Sequence, residues 1–353
     1  MDSGLNGIQQ IGLGVADTQV VFNWYRKNLG FDILVFEDES PATLMTRYTG
    51  GTVEHRRALL SMNMRGGGGL EIWQFKNRKP QEPAIEIEWG DLGVNAMKIR
   101  TNDIQKAHTT LKKLQLPFLT ALMQTPESRQ HFLFRDPWGN RVEVLSDGYV
   151  FCETKSRFGG VLGAIIGVSH MEKSLHFYKK LLGYDQVLSD RTGSFKPFMT
   201  ATGKGTIRRV VLKQSSQKVG GFGALLGPTE IELIQILDRP PQKIFENRLW
   251  GDLGYIHVCF DVQDMDALLQ RAKSLDYCFT VDSADSFDMG KAAGRFSYAE
   301  DPDGTLIEFV QTHKVPLLKR LGWFIDLRNR DPKKPLPRWL VKAMRWHRVR
   351  KDR

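Results

Sequence analysis

An internal repeat constrains this 353-residue chain more than any other feature. Gly14-Val15-Ala16-Asp17 is followed by Asn23-Trp24-Tyr25 and by Leu29-Gly30-Phe31-Asp32. At the same spacing, Gly167-Val168-Ser169-His170 is followed by His176-Phe177-Tyr178 and Leu182-Gly183-Tyr184-Asp185. Leu70-Glu71-Ile72 matches Ile231-Glu232-Leu233, and Gly90-Asp91-Leu92-Gly93 recurs unchanged as Gly251-Asp252-Leu253-Gly254. Asp136-Pro137-Trp138-Gly139 matches Asp301-Pro302-Asp303-Gly304. The offset grows from 153 to 161 to 165, so insertions fall between elements, where loops tolerate them. Residues 1–150 and 158–312 read as two copies of one unit, with 313–353 outside the repeat.

Each copy holds two smaller units. Each of these opens with a short strand: Ile8 to Val15, Ala96 to Thr101, Leu162 to Val168 and Ile256 to Val262. An amphipathic helix follows, as at Leu111 and Leu114 or at Ala267, Leu268 and Ala272. Further strands close the unit, the last bounded by the Asp-Pro-x-Gly turn in units two and four. The fold class is α+β, built from four βαβββ units.

Composition excludes several alternatives. At 41% hydrophobic and 25% charged residues the chain is ordinarily globular. Cys152, Cys259 and Cys278 are too few and too scattered for a disulfide framework or a zinc finger. No secretory leader or spanning apolar run is visible, so a reducing, cytoplasmic compartment is expected. The net charge of +10 is not spread evenly. Lys314 to Arg353 carries 14 Lys+Arg and three acids, which leaves 36 and 37 for the rest. A neutral body argues against a nucleic-acid partner.

The ordered set of motifs resembles the vicinal oxygen chelate superfamily, which includes glyoxalase I, extradiol dioxygenases and bleomycin-resistance proteins. The resemblance covers about residues 6–312. It rests on a strand ending in Val-x-Asp and a Phe/Trp-Tyr helix ending in Leu-Gly-Phe/Tyr. A Leu-Glu or Ile-Glu strand, the Asp-Pro-x-Gly turn and a terminal glutamate complete it. The resemblance implies two tandem glyoxalase-like halves that form half-open mixed-sheet cups, where cup-facing side chains hold a divalent metal. The family's ligand places fall here on Gln10 and Glu71, Ala96 and Glu143, Gly163 and Glu232, and His257 and Glu308.

Neither half of the chain supplies a complete set. Tandem glyoxalase-type proteins pair unit one with unit four and unit two with unit three. Crossing the positions gives Gln10, Glu71, His257 and Glu308 in one cup, the Gln/Glu/His/Glu set of glyoxalase I. The other cup receives Ala96, Glu143, Gly163 and Glu232, a degenerate set, with Lys98 on the Ala96 strand face expected to pair with the glutamates. One imidazole, two carboxylates and an amide oxygen suit Zn²⁺, Ni²⁺, Co²⁺ or Fe²⁺.

The resemblance therefore implies a metal-dependent lyase or isomerase acting through a metal-stabilised enediolate, with one site per chain. Glu308 takes the role of proton-transfer base and Glu71 that of the opposing ligand. A metal-free sequestering protein of the same fold and a non-haem iron(II) dioxygenase are the alternatives. Alternation along strands places Gly12 and Gly14 with Gln10, Trp73 and Phe75 with Glu71, and Cys259 and Asp261 with His257. These residues are expected to line a pocket for a small, partly apolar molecule with vicinal oxygens. Glutathione specificity is not expected, because Gly14, Phe75 and Leu253 stand where glyoxalase I reads the peptide's carboxylates. The dioxygenase pattern is broken at Gly163, where its first histidine belongs.

The extension 313–353 has no counterpart in the family. Leu317, Leu318, Leu321, Trp323, Phe324, Ile325 and Leu327 form an apolar cluster suited to docking on the body. Asp331 to Pro337 reads as a stiff basic linker. Arg338 to Lys351 reads as a basic amphipathic helix with Trp339 and Trp346, which packs on the body or makes weak contact with an anionic membrane surface. The protein is expected as a monomer or homodimer, cytoplasmic or peripheral at a membrane.

Overall fold

The computed structural model describes residues 4–198, 205–215, 220–284, 287–289, 292–318, 323–328, 330, 331 and 334–351. The first unit runs β1 (Leu5–Gly14), α1 (Thr18–Leu29), β2 (Ile33–Pro41), β3 (His55–Met62) and β4 (Gly69–Phe75). The second runs β5 (Gly93–Thr101), α2 (Ile104–Lys112), β6 (Met123–Gln124), β7 (Gln130–Arg135) and β8 (Arg141–Ser146). The third comprises β9 (Val161–Gly167), α3 (Met171–His176), β10 (Gln186–Gly193), β11 (Ile207–Lys213), a one-turn helix α4 (Gly223–Leu226) and β12 (Glu230–Ile236). The fourth has β13 (Gly254–Val262), α5 (Met265–Ser274), β14 (Phe279–Asp282), β15 (Phe287–Met289), β16 (Ala292–Glu300) and β17 (Leu306–Leu318). Four βαβββ units are thus present, the fourth with the short β15 added, in an α+β chain of mixed sheets.

The units cross between the halves. One sheet has the order β14-β16-β17-β13-β1-β4-β3-β2, with β15 added to β16, so it joins units four and one. The other has the order β10-β11-β12-β9-β5-β8-β7-β6 and joins units three and two. Antiparallel pairing of β1 with β13 and of β5 with β9 makes the two seams.

The repeated motifs are the joints that hold this arrangement. Asp17 caps α1 by accepting from the Gln19 and Val20 N–H groups, and Gly30 ends it at φ +79°, a left-handed conformation open to glycine. The helix then buries Val21, Phe22, Tyr25 and Leu29 in the main core. Tyr25 donates its hydroxyl to Asp136 Oδ2 at 2.7 Å, and Tyr178 donates to Asp301 Oδ2 at 3.0 Å. The helix Phe/Trp-Tyr motif and the Asp-Pro-x-Gly turn therefore fasten the two units of each half to one another. That core lies between helices and the convex sheet faces. The concave face of the first sheet carries its own apolar cluster, which includes Leu60, Met62, Trp73 and Tyr298.

The extension departs from the sequence expectation. β17 continues past residue 312 to Leu318 and pairs with β18 (Trp323–Asp326), so the repeat boundary falls inside a strand. Leu321, Pro332 and Lys333 lie outside the described residues. In place of one helix from Arg338 to Lys351 there is α6 (Arg338–Lys342), then a 3₁₀ turn, Ala343–His347. The helix stops because the chain must turn onto the first sheet. The Val349 N–H donates to the Asp32 carbonyl at 2.9 Å, and Arg348 Nε lies 3.0 Å from Asp32 Oδ2. Leu336, Val341 and Met344 pack into the concave apolar cluster, so the extension closes one end of the cup.

Candidate metal centre

Four adjacent strands bring the first cup's polar residues to one place. β1 runs antiparallel to β13, with Gly12 opposite His257 and Gln10 opposite Cys259. β4 lies parallel to β1 with Glu71 opposite Gly12, and β17 lies parallel to β13 with Glu308 opposite Cys259. His257 Nε2 is 3.3 Å from Glu71 Oε2 and 3.1 Å from Glu308 Oε2. Gln10 Nε2 is 3.4 Å from each of the same two oxygens. Four side chains from opposite ends of the chain therefore face one point, each less than one-tenth exposed.

The donor set fits a divalent ion on three counts. Ligand atoms held by bonds of roughly 2.0–2.2 Å lie about 3.0–3.4 Å apart across a tetrahedral or octahedral centre, and the observed separations fall there. Gln10 Oε1 and both imidazole nitrogens of His257 are buried without a hydrogen-bond partner, although Nε2 is close to both carboxylates. A half-turn of the Gln10 amide would point its oxygen at the same point. Among the described residues, Glu71, His257 and Glu308 form the only group of three or more His, Cys, Asp and Glu side chains with ligand atoms so close together, within 4.8 Å.

The electrostatics of the site follow from crowding. Burial pulls the His257 pKa down, but Glu308 and Glu71 outweigh it and push it up to about 9. Burial raises the Glu308 pKa, and the His257 charge and the Tyr298 hydroxyl overcome this and hold it low. Tyr298 stands opposite Glu308 in the strand register and packs its ring edge-on against His257 at 5.6 Å between ring centres. Burial keeps this phenol protonated far above its usual range.

A cavity of about 420 Å³ opens over Glu71 and Glu308, walled by Trp73, Trp250, Phe296 and Tyr298. Of the residues expected to line it, only Trp73 does so. Phe75 packs edge-on against Trp73 at 4.7 Å between ring centres, and the Arg78 guanidinium lies over its ring. Gly12 does not leave room for a ligand, because a Cβ there would collide with the His257 ring. At Gly14 a Cβ would collide with the Asp252 carbonyl, so this glycine admits the recurring Gly-Asp-Leu-Gly loop. Cys259 is fully buried beside Glu308, and burial pushes its thiol up, so it is no nucleophile. Asp261 lies beyond the row of ligands. It accepts from Asn6 at 2.7 Å, Gln263 at 3.0 Å and Gln9 at 3.2 Å, and burial raises its pKa to about 6.

The second cup has a lysine ammonium where the first has its convergence point. Ala96 and Gly163 offer no ligand atom, and a Cβ on Gly163 would collide with the Glu230 carbonyl. Lys98, fully buried, lies 2.6 Å from Glu232, 2.5 Å from Glu230 and 3.4 Å from Glu143. Arg209 bridges Glu232 and Glu127, and His131 Nδ1 lies 2.6 Å from Glu143. Burial opposes the ammonium, yet the three glutamates hold its pKa above the ordinary lysine value. Glu230 was not among the expected residues, though it stands two positions before Glu232 and so shares its strand face.

Tyr298, Trp250 and Arg56 are further cup residues that motif reasoning missed. Trp250 had a signal, since the Trp-Gly-Asp-Leu-Gly string recurs with Trp89 in the first copy.

The comparisons agree with this architecture. The glyoxalase I structure from Zea mays is 14% identical, with a TM-score of 0.53 over 86% of this chain and 92% of that one. A putative dioxygenase from Bacillus subtilis is 14% identical, with a TM-score of 0.58 over 88% of this chain and 86% of that one. At such identities the likeness is one of fold. No curated protein matches the sequence. The profile of the Glyoxalase/Bleomycin resistance protein/Dioxygenase superfamily matches residues 7–144 and 160–309, most of both repeats. With both copies matched over most of the chain, the protein belongs to the Glyoxalase/Bleomycin resistance protein/Dioxygenase superfamily.

Proposed function

We propose that the first cup holds one divalent ion, Zn²⁺, Ni²⁺, Co²⁺ or Fe²⁺, and that the protein is a lyase or isomerase of small, partly apolar substrates with vicinal oxygens. The observation that carries this is the approach of Gln10, Glu71, His257 and Glu308 to one point at 3.1–3.4 Å. When bound, the ion would supply Lewis acidity toward paired substrate oxygens. The remaining work falls to the chain. Glu308 faces the cavity and takes a proton from the carbon beside those oxygens. The Tyr298 hydroxyl keeps the Glu308 carboxylate oriented and ionised. Trp73, Trp250 and Phe296 seat the apolar part of the substrate and exclude water.

The test is hydrogen exchange in heavy water, with 2-hydroxyacetophenone as the probe. Metal-loaded protein should exchange the protons between its two oxygens. Glu308→Gln should retain the ion while its exchange rate falls by about 10²–10⁴. Unchanged exchange in that variant would remove Glu308 from the role of base. A second reading, metal-free sequestration, draws on the ion pairing available within the cluster. If protonated, His257 would form ion pairs with Glu71 and Glu308 through Nε2. Tight probe binding without metal or exchange would favour it.

The partner reading extends to a surface. No described helix is long and apolar enough to cross a membrane. Trp339 and Trp346, at 71% and 64% exposed, are the two most exposed large hydrophobics among the described residues. They sit on a segment, Lys334 to Lys351, with seven Lys+Arg and no acid. Its inner side is anchored in the cup by Val341 and Met344. Basic residues near an anionic bilayer contribute about 1 kcal/mol each, and interfacial tryptophans add to that. The protein should therefore sediment with phosphatidylglycerol-containing vesicles and not with phosphatidylcholine alone. Trp339→Ala/Trp346→Ala should weaken this by about tenfold without lowering the melting temperature. Equal partitioning of the two proteins would refute the contact.

A further inference from the structure

One end of the cavity carries chemistry that metal binding and proton transfer leave unused. Arg56 on β3 is only 7% exposed, yet it lines the cavity together with the small polar residues Ser40 and Ser283. It stands opposite Phe75, whereas Leu60 stands opposite Glu71. Four residues of strand, about 13 Å, therefore separate it from the row of metal-facing side chains. The same cavity is lined by Trp73, packed against Trp250 at 4.4 Å between ring centres, and by Phe296. A polar end, an aromatic middle and a second polar end make an elongated site.

Asp38 holds one edge of the guanidinium. Its Oδ2 lies 2.6 Å from Arg56 Nη1, and its carbonyl oxygen accepts from the same nitrogen at 3.3 Å. Among the described residues, only Nη1 of this guanidinium has a hydrogen-bond partner, which leaves Nε and Nη2 on a side chain that lines the cavity. A guanidinium fixed along one edge and open along the other is arranged to take two oxygens of a carboxylate side by side. Burial strengthens such a contact, because little water competes for the donors. If the pair served only to hold β2 against β3, it would need no exposure to the cavity wall.

We propose that Arg56 reads a carboxylate at the end of the substrate remote from its paired metal-binding oxygens. The inference rests on the functional reading above and narrows it to flat, apolar carboxylates with vicinal oxygens at the far end. Arg56 is thus a specificity residue, distinct from the groups that handle the proton.

The experiment uses two probes on zinc-loaded, full-length protein: 4-(2-hydroxyacetyl)benzoate and its methyl ester, titrated calorimetrically. The wild type should bind the acid at least about tenfold more tightly than the ester. Arg56→Gln should bring the acid down to the ester's affinity, leaving the ester's affinity and the zinc content unchanged. Arg56→Lys should recover part of the preference and guards against a folding defect. His257→Ala separates this inference from the reading it rests on. An acid preference that survives there without zinc supports Arg56 even if metal chemistry fails. Equal binding of acid and ester by the wild type, or equal loss of both in Arg56→Gln, would overturn the proposal.

Discussion

Replacing His257 with alanine is expected to reduce the divalent-metal content from one ion per chain to none, with affinity lowered by more than about 100-fold. The imidazole is the only group of the four that can bind a metal through nitrogen, since the Gln10 amide would bind through its oxygen, and partners that merely orient ligands already cost about 10–100-fold when lost. The variant should remain folded, since Gly12 only accommodates the ring and the strands pair through their backbones. It should, however, leave Glu71 and Glu308 facing one another without a cation. Two close carboxylates resist joint ionisation, so the metal-free variant should gain stability relative to wild type as the pH falls toward 4. Equilibrium dialysis against zinc or nickel, with denaturation at two pH values, measures both effects. Retention of metal by His257→Ala would show that the ion sits elsewhere.

Lys98→Met should be the most destabilising single change in the second cup, by about 3–5 kcal/mol at neutral pH. It removes the ammonium that meets Glu143, Glu230 and Glu232, all nearly inaccessible. The pH signs can be stated from the shifts. Lys98 is raised above its unfolded value, so its contribution is complete below about pH 10 and declines only at higher pH. Burial raises the Glu232 pKa, but Arg209 and Lys98 overcome this and hold it far below the ordinary glutamate range. Its contribution is therefore complete above about pH 4–5 and is lost only in strong acid. The intact network should stabilise the fold throughout this wide window. In Lys98→Met the carboxylates lose the cation they share and ionise together less readily, so the deficit should shrink at pH 4.5 relative to pH 7.5. Adding Glu230→Gln should restore part of the loss. A deficit below about 1 kcal/mol would mean that water or Arg209 compensates the glutamates without Lys98.

How much of this was legible in the sequence depends on what each residue's position required. Glu71, His257 and Glu308 could be located because the family resemblance assigns its ligand places to short strands, and the repeated glycine loops and Asp-Pro-x-Gly turns fix where those strands fall. Strand alternation gave only the neighbours that share a face with each of them. Crossing of the units was legible only through the family resemblance, since no local property of β1 specifies β13 as its neighbour.

Gly12 and Gly14 were misread for a related reason. Alternation identifies a face but not what already fills it, and the filling comes from His257 and from the loop at Asp252, far away in sequence. Asp261 was misread because β1 and β13 change register between Leu5 and Gly7 and between Ile8 and Gln10. These irregularities bring Asn6 and Gln9 onto Asp261 instead of leaving it in the cup. Tyr298 and Arg56 lie on strands without a repeated motif, so nothing in the sequence distinguished them from other alternating residues. The extension was read correctly as basic and tryptophan-bearing, but its helix was drawn too long. Its end is set by Asp32, a residue more than 300 positions earlier.

The central claim is that one ion sits among side chains from the first and the fourth units. Anomalous diffraction at the metal absorption edge, from crystals of tag-free protein whose metal content has been measured by mass spectrometry, tests it most directly. The expected result is one divalent ion per chain and a single anomalous peak, roughly 2.0–2.2 Å from Gln10, Glu71, His257 and Glu308, with none beside Lys98. A metal-free protein that stays empty after incubation with zinc and nickel, or a peak away from these four residues, would contradict it.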